Sequence, residues 1–258
     1  MRGWRGPSYA ERMCGRYAAF REAQELAEEF DVEDVDERAA AREPSWNLAP
    51  TDPARIILDR PATAERAATR EMHLARWGLL PAFTKDPKRG APLFNARIET
   101  VAEKPAFRKS LAVRRCLVPA DGYFEWRTEQ AEGGGKPTKT PFFIHATSPD
   151  GAPRPSLAFA GLYAWWRDPS KGEDDPDRWV LSTTIITTQA RDGLEAIHDR
   201  EPVVLSREAV DAWLTPGERD AEASLEILRS PGPQLSWHEV GSAVGSVRHN
   251  NPGLVRPR

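Results

Sequence analysis

Twenty-three prolines spread through 258 residues limit the fold more than any other feature, because each one removes a backbone donor and fixes φ. Together with nine tryptophans, they argue for many short strands, turns and aromatic surfaces rather than a helical bundle. A chain of this length with 40% hydrophobic residues can bury a substantial core in one domain.

The local patterns agree. Residues 21–30 place Leu26 and Phe30 four apart among acids, as a short amphipathic helix does, and Pro44 stops any continuation. Residues 46–51 read as irregular. Strands are predicted at 55–58, 72–77, 115–118 and 123–127, with the last two forming a hairpin through the turn Pro119-Ala120-Asp121-Gly122. Residues 128–140, with Gly133-Gly134-Gly135, read as a mobile surface loop that lacks the strand and helix context of a nucleotide cradle. Further strands are expected at 142–145, 157–163 and 179–188, where Thr184 to Thr187 are β-branched throughout. Helices are expected at 189–197 and at 207–214, the second entered from Ser206 as N-cap, followed by a last strand at 234–240. This order gives an α+β class: a single domain built on a mixed, strongly curved β-sheet or barrel with flanking helices.

Charge is unevenly placed. The net charge of −3 argues against indiscriminate coating of nucleic acid. Yet residues 76–127 carry eleven basic against five acidic side chains, while residues 21–43 carry three against ten. The basic segment interleaves its cations with Trp77, Phe83, Phe94, Phe107, Tyr123, Phe124 and Trp126. That mixture suits a phosphate backbone and unstacked bases, and equally suits a core with polar edges. No stretch is long and apolar enough to span a bilayer. Two cysteines, Cys14 and Cys116, are too few for a disulfide framework and fit a reducing cytoplasm. Cys116, in Arg115-Cys116-Leu117-Val118-Pro119, has the setting of a buried strand cysteine, and no paired spacing points to a metal site.

The chemistry-bearing feature is Met13-Cys14-Gly15-Arg16-Tyr17. Loss of everything through Met13 would leave a 1,2-aminothiol, which can form an imine with an aldehyde and then close onto it as a thiazolidine. Residues 1–12 show no signal-peptide core and no acylation pattern. They are expected to be disordered or absent from the working protein, through translation from Met13 or through proteolysis. The domain is then expected over 13–251, and 252–258 as a disordered tail. Three further segments display orienting or titratable groups: Asn95 in Phe94-Asn95-Ala96-Arg97-Ile98-Glu99-Thr100, Glu125 in Asp121-Gly122-Tyr123-Phe124-Glu125-Trp126, and His198 in Ile197-His198-Asp199-Arg200-Glu201-Pro202. Strand alternation puts Glu125 on the face opposite Phe124 and Trp126, where apolar walls suit a carboxyl to proton transfer.

In order and spacing these segments, with Asn47-Leu48-Ala49-Pro50-Thr51, Trp77-Gly78-Leu79-Leu80-Pro81 and Cys116 to Trp126, resemble the SOS response-associated peptidase family of abasic-site processing proteins, over 13–251. The resemblance implies a protein that binds single-stranded DNA at an abasic site and crosslinks to it through a terminal cysteine. Cys14 would then be the nucleophile, Asn95 would position its amine and the sugar, Glu125 would move protons, and His198 would assist opening of the sugar. DNA contacts would fall to Arg16, Trp77, Arg97 and Arg108. No cofactor or metal is expected, and the protein is expected to be a cytoplasmic monomer that joins the nucleoid when DNA is damaged. Two other readings stand beside it: a cysteine-type peptidase limited to self-processing, and a non-covalent single-strand DNA binding module. Glu201 departs from the nonpolar or basic residue that the family pattern carries before the proline. The segment Val247-Arg248-His249-Asn250-Asn251 matches loosely.

Overall fold

The computed structural model describes residues 15–88, 92–130, 135–148, 154–217 and 219–258. In chain order the elements are β1 (Tyr17–Ala19), α1 (Ala23–Phe30), β2 (Asp34–Val35), α2 (Glu37–Ala40), β3 (Ser45–Leu48), β4 (Pro53–Arg60), β5 (Thr69–Trp77), β6 (Asn95–Arg97), α3 (Arg108–Val113), β7 (Arg115–Ala120), β8 (Gly122–Glu129), β9 (Thr138–Ala146), β10 (Leu157–Arg167), β11 (Trp179–Gln189), β12 (Arg200–Pro202), β13 (Val204–Leu205), α4 (Arg207–Leu214), α5 (Ala221–Arg229) and β14 (Leu235–Glu239).

Five of these strands close a barrel. The run β5, β4, β7, β10, β11 is antiparallel throughout, and β11 returns to β5 in a parallel pairing of Ser182 with Arg76 and Thr183 with Trp77. Closure removes the free edges that an open sheet would expose. Short β6 lies parallel to β11 beyond β5, and β12 pairs with the end of β11 on its other edge. A second, antiparallel sheet runs β14-β9-β8-β1-β3. The expected α+β fold, one domain on a mixed, curved sheet with few helices, is the fold observed.

Period-two alternation explains why the barrel strands read as nearly continuous apolar runs, since both of their faces are covered. Ala54, Ile56, Cys116, Val118, Phe159 and Ile185 pack with Tyr17, Tyr123 and Ile144 of the second sheet. The opposite faces, with Ile57, Leu117, Ala160, Leu162 and Ile186, are covered by Leu26 and Phe30 of α1, Leu111 of α3, and Val210 and Trp213 of α4. Each large apolar side chain buried this way contributes about 1.5–3 kcal/mol. Ser206 caps α4 as expected, its hydroxyl accepting from the Ala209 N–H.

Several local expectations fail for identifiable reasons. Residues 46–51 are not wholly irregular, because Ser45–Leu48 pairs with β1. β7 and β8 do not form a hairpin: β7 pairs with β10 and β4, β8 with β9 and β1. The chain changes sheets at Asp121, whose carboxylate accepts the Phe20 and Arg21 N–H groups at 2.7 and 3.2 Å. Next to it, a Cβ on Gly122 would lie 2.4 Å from Phe143 Cζ and 2.6 Å from Ile144 O, so only glycine fits this crossing. The helix expected at 189–197 shrinks to a 3-10 turn at Leu194–Ala196, after Asp192 and Gly193 at φ 57° and 96°. The loop expected at 128–140 is shorter, since β8 runs to Glu129 and β9 starts at Thr138; Gly133 and Gly134 lie outside the described residues.

The tail at 252–258, expected to be disordered, packs down instead. Pro252–Val255 forms a 3-10 turn capped by Asn251, Leu254 is buried with Phe124 and Phe143, and the Arg258 N–H bonds to Glu239 O. The leader, 1–12, lies outside the described residues. No described helix is long and apolar enough to cross a membrane.

Candidate functional site

The site forms where β8 of the second sheet meets the segment that follows β11. Glu125 sits on β8 with Tyr123 on the barrel-facing side, while Phe124 packs on the opposite face with Phe143, Val240 and Val244, the alternation the sequence predicts. Its side chain is 6% exposed, and its Oε1 lies 3.9 Å from His198 Nδ1, which comes from the segment after β11. The 3-10 turn at Leu194–Ala196 delivers that histidine, whose backbone N–H bonds to Leu194 O at 3.0 Å.

His198 Nδ1 has contacts that suit both of its proton forms. The Arg200 N–H approaches at 3.1 Å and needs a lone pair there, whereas the Asp199 carboxylate at 3.2 Å and the Arg200 carbonyl at 3.3 Å favour an N–H. With Glu125 on the same side, the imidazole can take or give a proton without losing every partner.

Asn95 begins β6, 7% exposed, level with Ile185 on β11; Arg97, level with Thr187, is exposed. Alternation puts the two on one face of β6, with fully buried Ala96 on the other. Trp77, expected to contact DNA, does something else. It is 1% exposed, its indole N–H donates to Phe94 O at 2.9 Å, and its ring meets Tyr17 at 5.0 Å and Phe94 at 5.9 Å edge-on. A ring enclosed by the core cannot receive a base. Its bond fixes the peptide immediately before Asn95. Most other aromatics of the basic segment are core too: Phe94, Phe107, Tyr123 and Phe124 are at most 3% exposed, whereas Phe83 is 65% exposed.

At the amino-terminal end, Tyr17 is level with Tyr123, and the Phe124 N–H bonds to Arg16 O at 3.0 Å. Tyr17 is buried, which pushes its phenol well above the ordinary range. Half-buried Arg16 donates through Nη1 to Asn47 Oδ1 and Val244 O, each at 3.0 Å. Asn47 in turn donates to the carbonyls of Val244, Ser246 and His249, so the C-terminal segment straps the start of β1. The first described residue is Gly15; Cys14 lies outside the described residues. Arg108 is exposed at the start of α3.

Sequence reasoning missed the clamp that ties two of the motifs together. Arg200 Nη1 and Nη2 grip Glu99 at 2.6 and 3.0 Å, and Nη2 also donates to Thr187 O at 2.7 Å. Burial pushes the Glu99 carboxyl up, but its bonds to Arg200 outweigh this and hold it below the usual range. The signal was present as an acid and an arginine in adjacent-looking motifs, without anything to show that they meet. Beside this clamp, Arg97, Gln189, Glu195, Asp199 and Arg200 line a surface depression of about 460 Å³. Cys116 is fully buried near Thr183 Oγ1, and burial pushes its thiol up to about 12. Among the described residues, no group of three or more His, Cys, Asp or Glu could hold a metal ion.

These features define a class: a closed barrel carrying a shielded carboxyl–imidazole pair at its seam with a second sheet. The chain belongs to the family described as SOS response associated peptidase (SRAP), whose model matches residues 13–247. It is 34% identical over 244 residues to the abasic site processing protein YoqW of Bacillus subtilis, covering 94% of this chain and 99% of that one. It is 33% identical over 255 residues to the abasic site processing protein YedK of Escherichia coli, covering 95% and 100%. A crystal structure of a protein from Bacteroides thetaiotaomicron shares the fold at a TM-score of 0.74, 24% identity, and coverage of 95% and 100%.

Proposed function

We propose that this protein processes abasic sites in single-stranded DNA by capturing the sugar aldehyde on a terminal Cys14. The observation that carries this reading is the approach of Glu125 to His198 across the two sheets at 3.9 Å, at the seam where the strand following Gly15 enters β1. Cys14 is bonded to Gly15, and Gly15 precedes the residue whose carbonyl holds the Phe124 N–H. Gly15, the residue after Cys14, therefore lies one position from the pairing that joins Arg16 to the strand carrying Glu125. The relatives' names supply the substrate class.

An abasic sugar is mostly a closed hemiacetal, and His198 and Glu125 are suited to protonate and open it. The α-amine of Cys14, with a reference pKa of about 7.7–8.0, and its thiol, of about 8.5, are both partly nucleophilic near neutrality. The amine adds to C1′, Glu125 gives a proton to the departing hydroxyl, and one water leaves as the imine forms. The thiolate then adds to the imine carbon and the nitrogen regains a proton, closing a thiazolidine. Amine, thiol and aldehyde thus combine with loss of a single water, and no oxidant is needed. Asn95 orients the amine and the sugar, and Arg97 offers an exposed guanidinium for a phosphate. Arg16 and Arg108 are assigned to more distant backbone contacts.

The family's description as a peptidase favours one accompanying reaction, hydrolysis of the Met13–Cys14 bond by this same site, which would free the amine. The test is incubation with an abasic single strand, followed by heat and denaturing electrophoresis. Wild type is expected to give a heat-stable adduct, Glu125→Gln a slow one, and Cys14→Ser none. Equal yields from all three would overturn the reading. A Glu125→Gln protein that keeps its first thirteen residues when wild type loses them would assign self-processing to the site.

A further inference from the structure

On the far side of the His198-bearing segment lies a second cleft, of about 480 Å³, which the capture chemistry does not use. Arg191, Glu201, Gln234 and Trp237 line it, with Pro231 and Pro233 at its wall. Arg200 and Glu201 are neighbours on β12, so alternation sends their side chains to opposite faces. Arg200 turns towards Glu99 and Thr187, and Glu201 towards this cleft. Leu194, whose carbonyl receives the His198 N–H, is part of the cleft wall. Glu201 lies three residues from His198, which limits their separation to about 10 Å, a spacing that suits a nucleotide next to the one being captured.

The chemistry of the lining is specific. Glu201 is 4% exposed, and one of its carboxylate oxygens accepts from Arg191 Nε at 3.0 Å. A carboxylate has about four acceptor positions, so the two bonds from Arg191, one from its guanidinium and one from its backbone N–H, still leave capacity for further donors. Burial pushes the Glu201 carboxyl up, and Arg191 only partly offsets this, so the charged form would be favoured by additional N–H groups. Trp237 is 37% exposed on the edge strand β14, and its ring lies 3.2 Å from where a Cβ on Gly193 would sit, so a side chain there would press on the indole. An apolar ring beside an acceptor-only group suits a nucleobase with two adjacent donors on its pairing edge. Guanine has these in N1–H and the N2 amino group; adenine and thymine each offer a single donor and cytosine only its amino group.

We propose that this cleft receives an unstacked guanine adjacent to the abasic nucleotide, with Glu201 accepting from its N1–H and N2 amino groups and Trp237 stacking on its face. The proposal rests on the function given above and deepens it, making Glu201 and Trp237 specificity residues for the strand around the lesion. Stacking on an aromatic side chain tolerates any base, whereas the carboxylate discriminates among them.

The test measures crosslinking rate at limiting protein on single strands carrying each of the four bases on either side of the abasic site. Wild type is expected to react at least fivefold faster with guanine at one of the two positions. Glu201→Gln, similar in shape, is expected to lose that preference while still crosslinking the other three sequences at the wild-type rate. Trp237→Ala is expected to slow all four through weaker binding, with the maximal rate at saturating DNA retained. Thermal unfolding of both variants separates loss of preference from loss of structure, and Glu201→Met offers a second way to remove the acceptor. Equal rates on all eight strands, or a guanine preference that survives Glu201→Gln and Glu201→Met, would overturn the proposal. Absence of any crosslink on any strand would instead refute the parent function.

Discussion

Replacing Glu99 with Gln tests whether the clamp between β6 and the His198 segment holds the site together. The substitution keeps the shape and removes the charge facing Arg200, a guanidinium that is 8% exposed and makes two bonds to Glu99 at 2.6 and 3.0 Å. Cutting one partner from a fully buried pair costs about 3–5 kcal/mol. Here the Glu99 side chain is 44% exposed, so solvent screens part of the interaction. Arg200 also keeps its bond to Thr187 O. A loss of about 1–2 kcal/mol follows, close to one hydrogen bond to a charged group. For a chain of this size that lowers Tm by roughly 2–8 °C at pH 7.

The pH dependence has a definite sign. The Glu99 carboxyl is held below its unfolded value, so its stabilising effect is present above the ordinary carboxylate range and fades as pH falls through the folded value. The gap in Tm between wild type and Glu99→Gln should therefore be widest near pH 7 and shrink as pH is lowered below about 4. Scanning calorimetry across this range is the assay. A variant as stable as wild type at pH 7, or a gap that stays constant into acid, would refute the clamp.

Asn47→Ala removes three donations to C-terminal carbonyls and the acceptor for Arg16, and should cost about 2–4 kcal/mol while exposing residues 241–258 to limited proteolysis. Cys116, buried with its thiol pushed up to about 12, should resist iodoacetamide in the native state at pH 8 and react only after denaturation, as peptide mapping would reveal. Gly122→Ala places a methyl 2.4 Å from the Phe143 ring and should destabilise by about 3 kcal/mol or prevent folding, read from soluble yield and urea unfolding. Trp77→Phe removes the indole donor to Phe94 O deep in the core, so crosslinking should slow through misplaced Asn95 while affinity for undamaged single strands stays unchanged.

Prolines, β-branched runs and alternation made the strand-rich class legible, because those signals are local. A curved sheet or barrel was expected, but which strands close it was not legible, since closure joins Arg76 and Trp77 to Ser182 and Thr183, partners more than a hundred residues apart with no pattern of their own. The turn at Pro119-Ala120-Asp121-Gly122 has the composition of a hairpin, yet Asp121 spends its carboxylate on Phe20 and Arg21 and the chain changes sheets there. Trp77 was expected to contact DNA from its motif, while its burial depends on Tyr17 and Phe94 arriving from elsewhere. At the site, Glu125 and its face followed from two-residue periodicity, and His198 followed from its motif. The pairing of Glu99 with Arg200 needed three dimensions. The four- and six-residue helices α2 and α3 are too short to show a helical period, whereas α5 carries Leu225, Ile227 and Leu228 and was missed despite them.

Intact mass of the covalent product tests the central claim most directly. Purified protein is incubated with a short abasic single strand, heated, freed of unreacted DNA and weighed. The predicted product is a chain beginning at Cys14 plus one oligonucleotide minus one water, and it is absent from Cys14→Ser. An adduct of equal heat stability on a chain that still carries Met1 to Met13, or on the Cys14→Ser variant, would contradict capture by a terminal aminothiol.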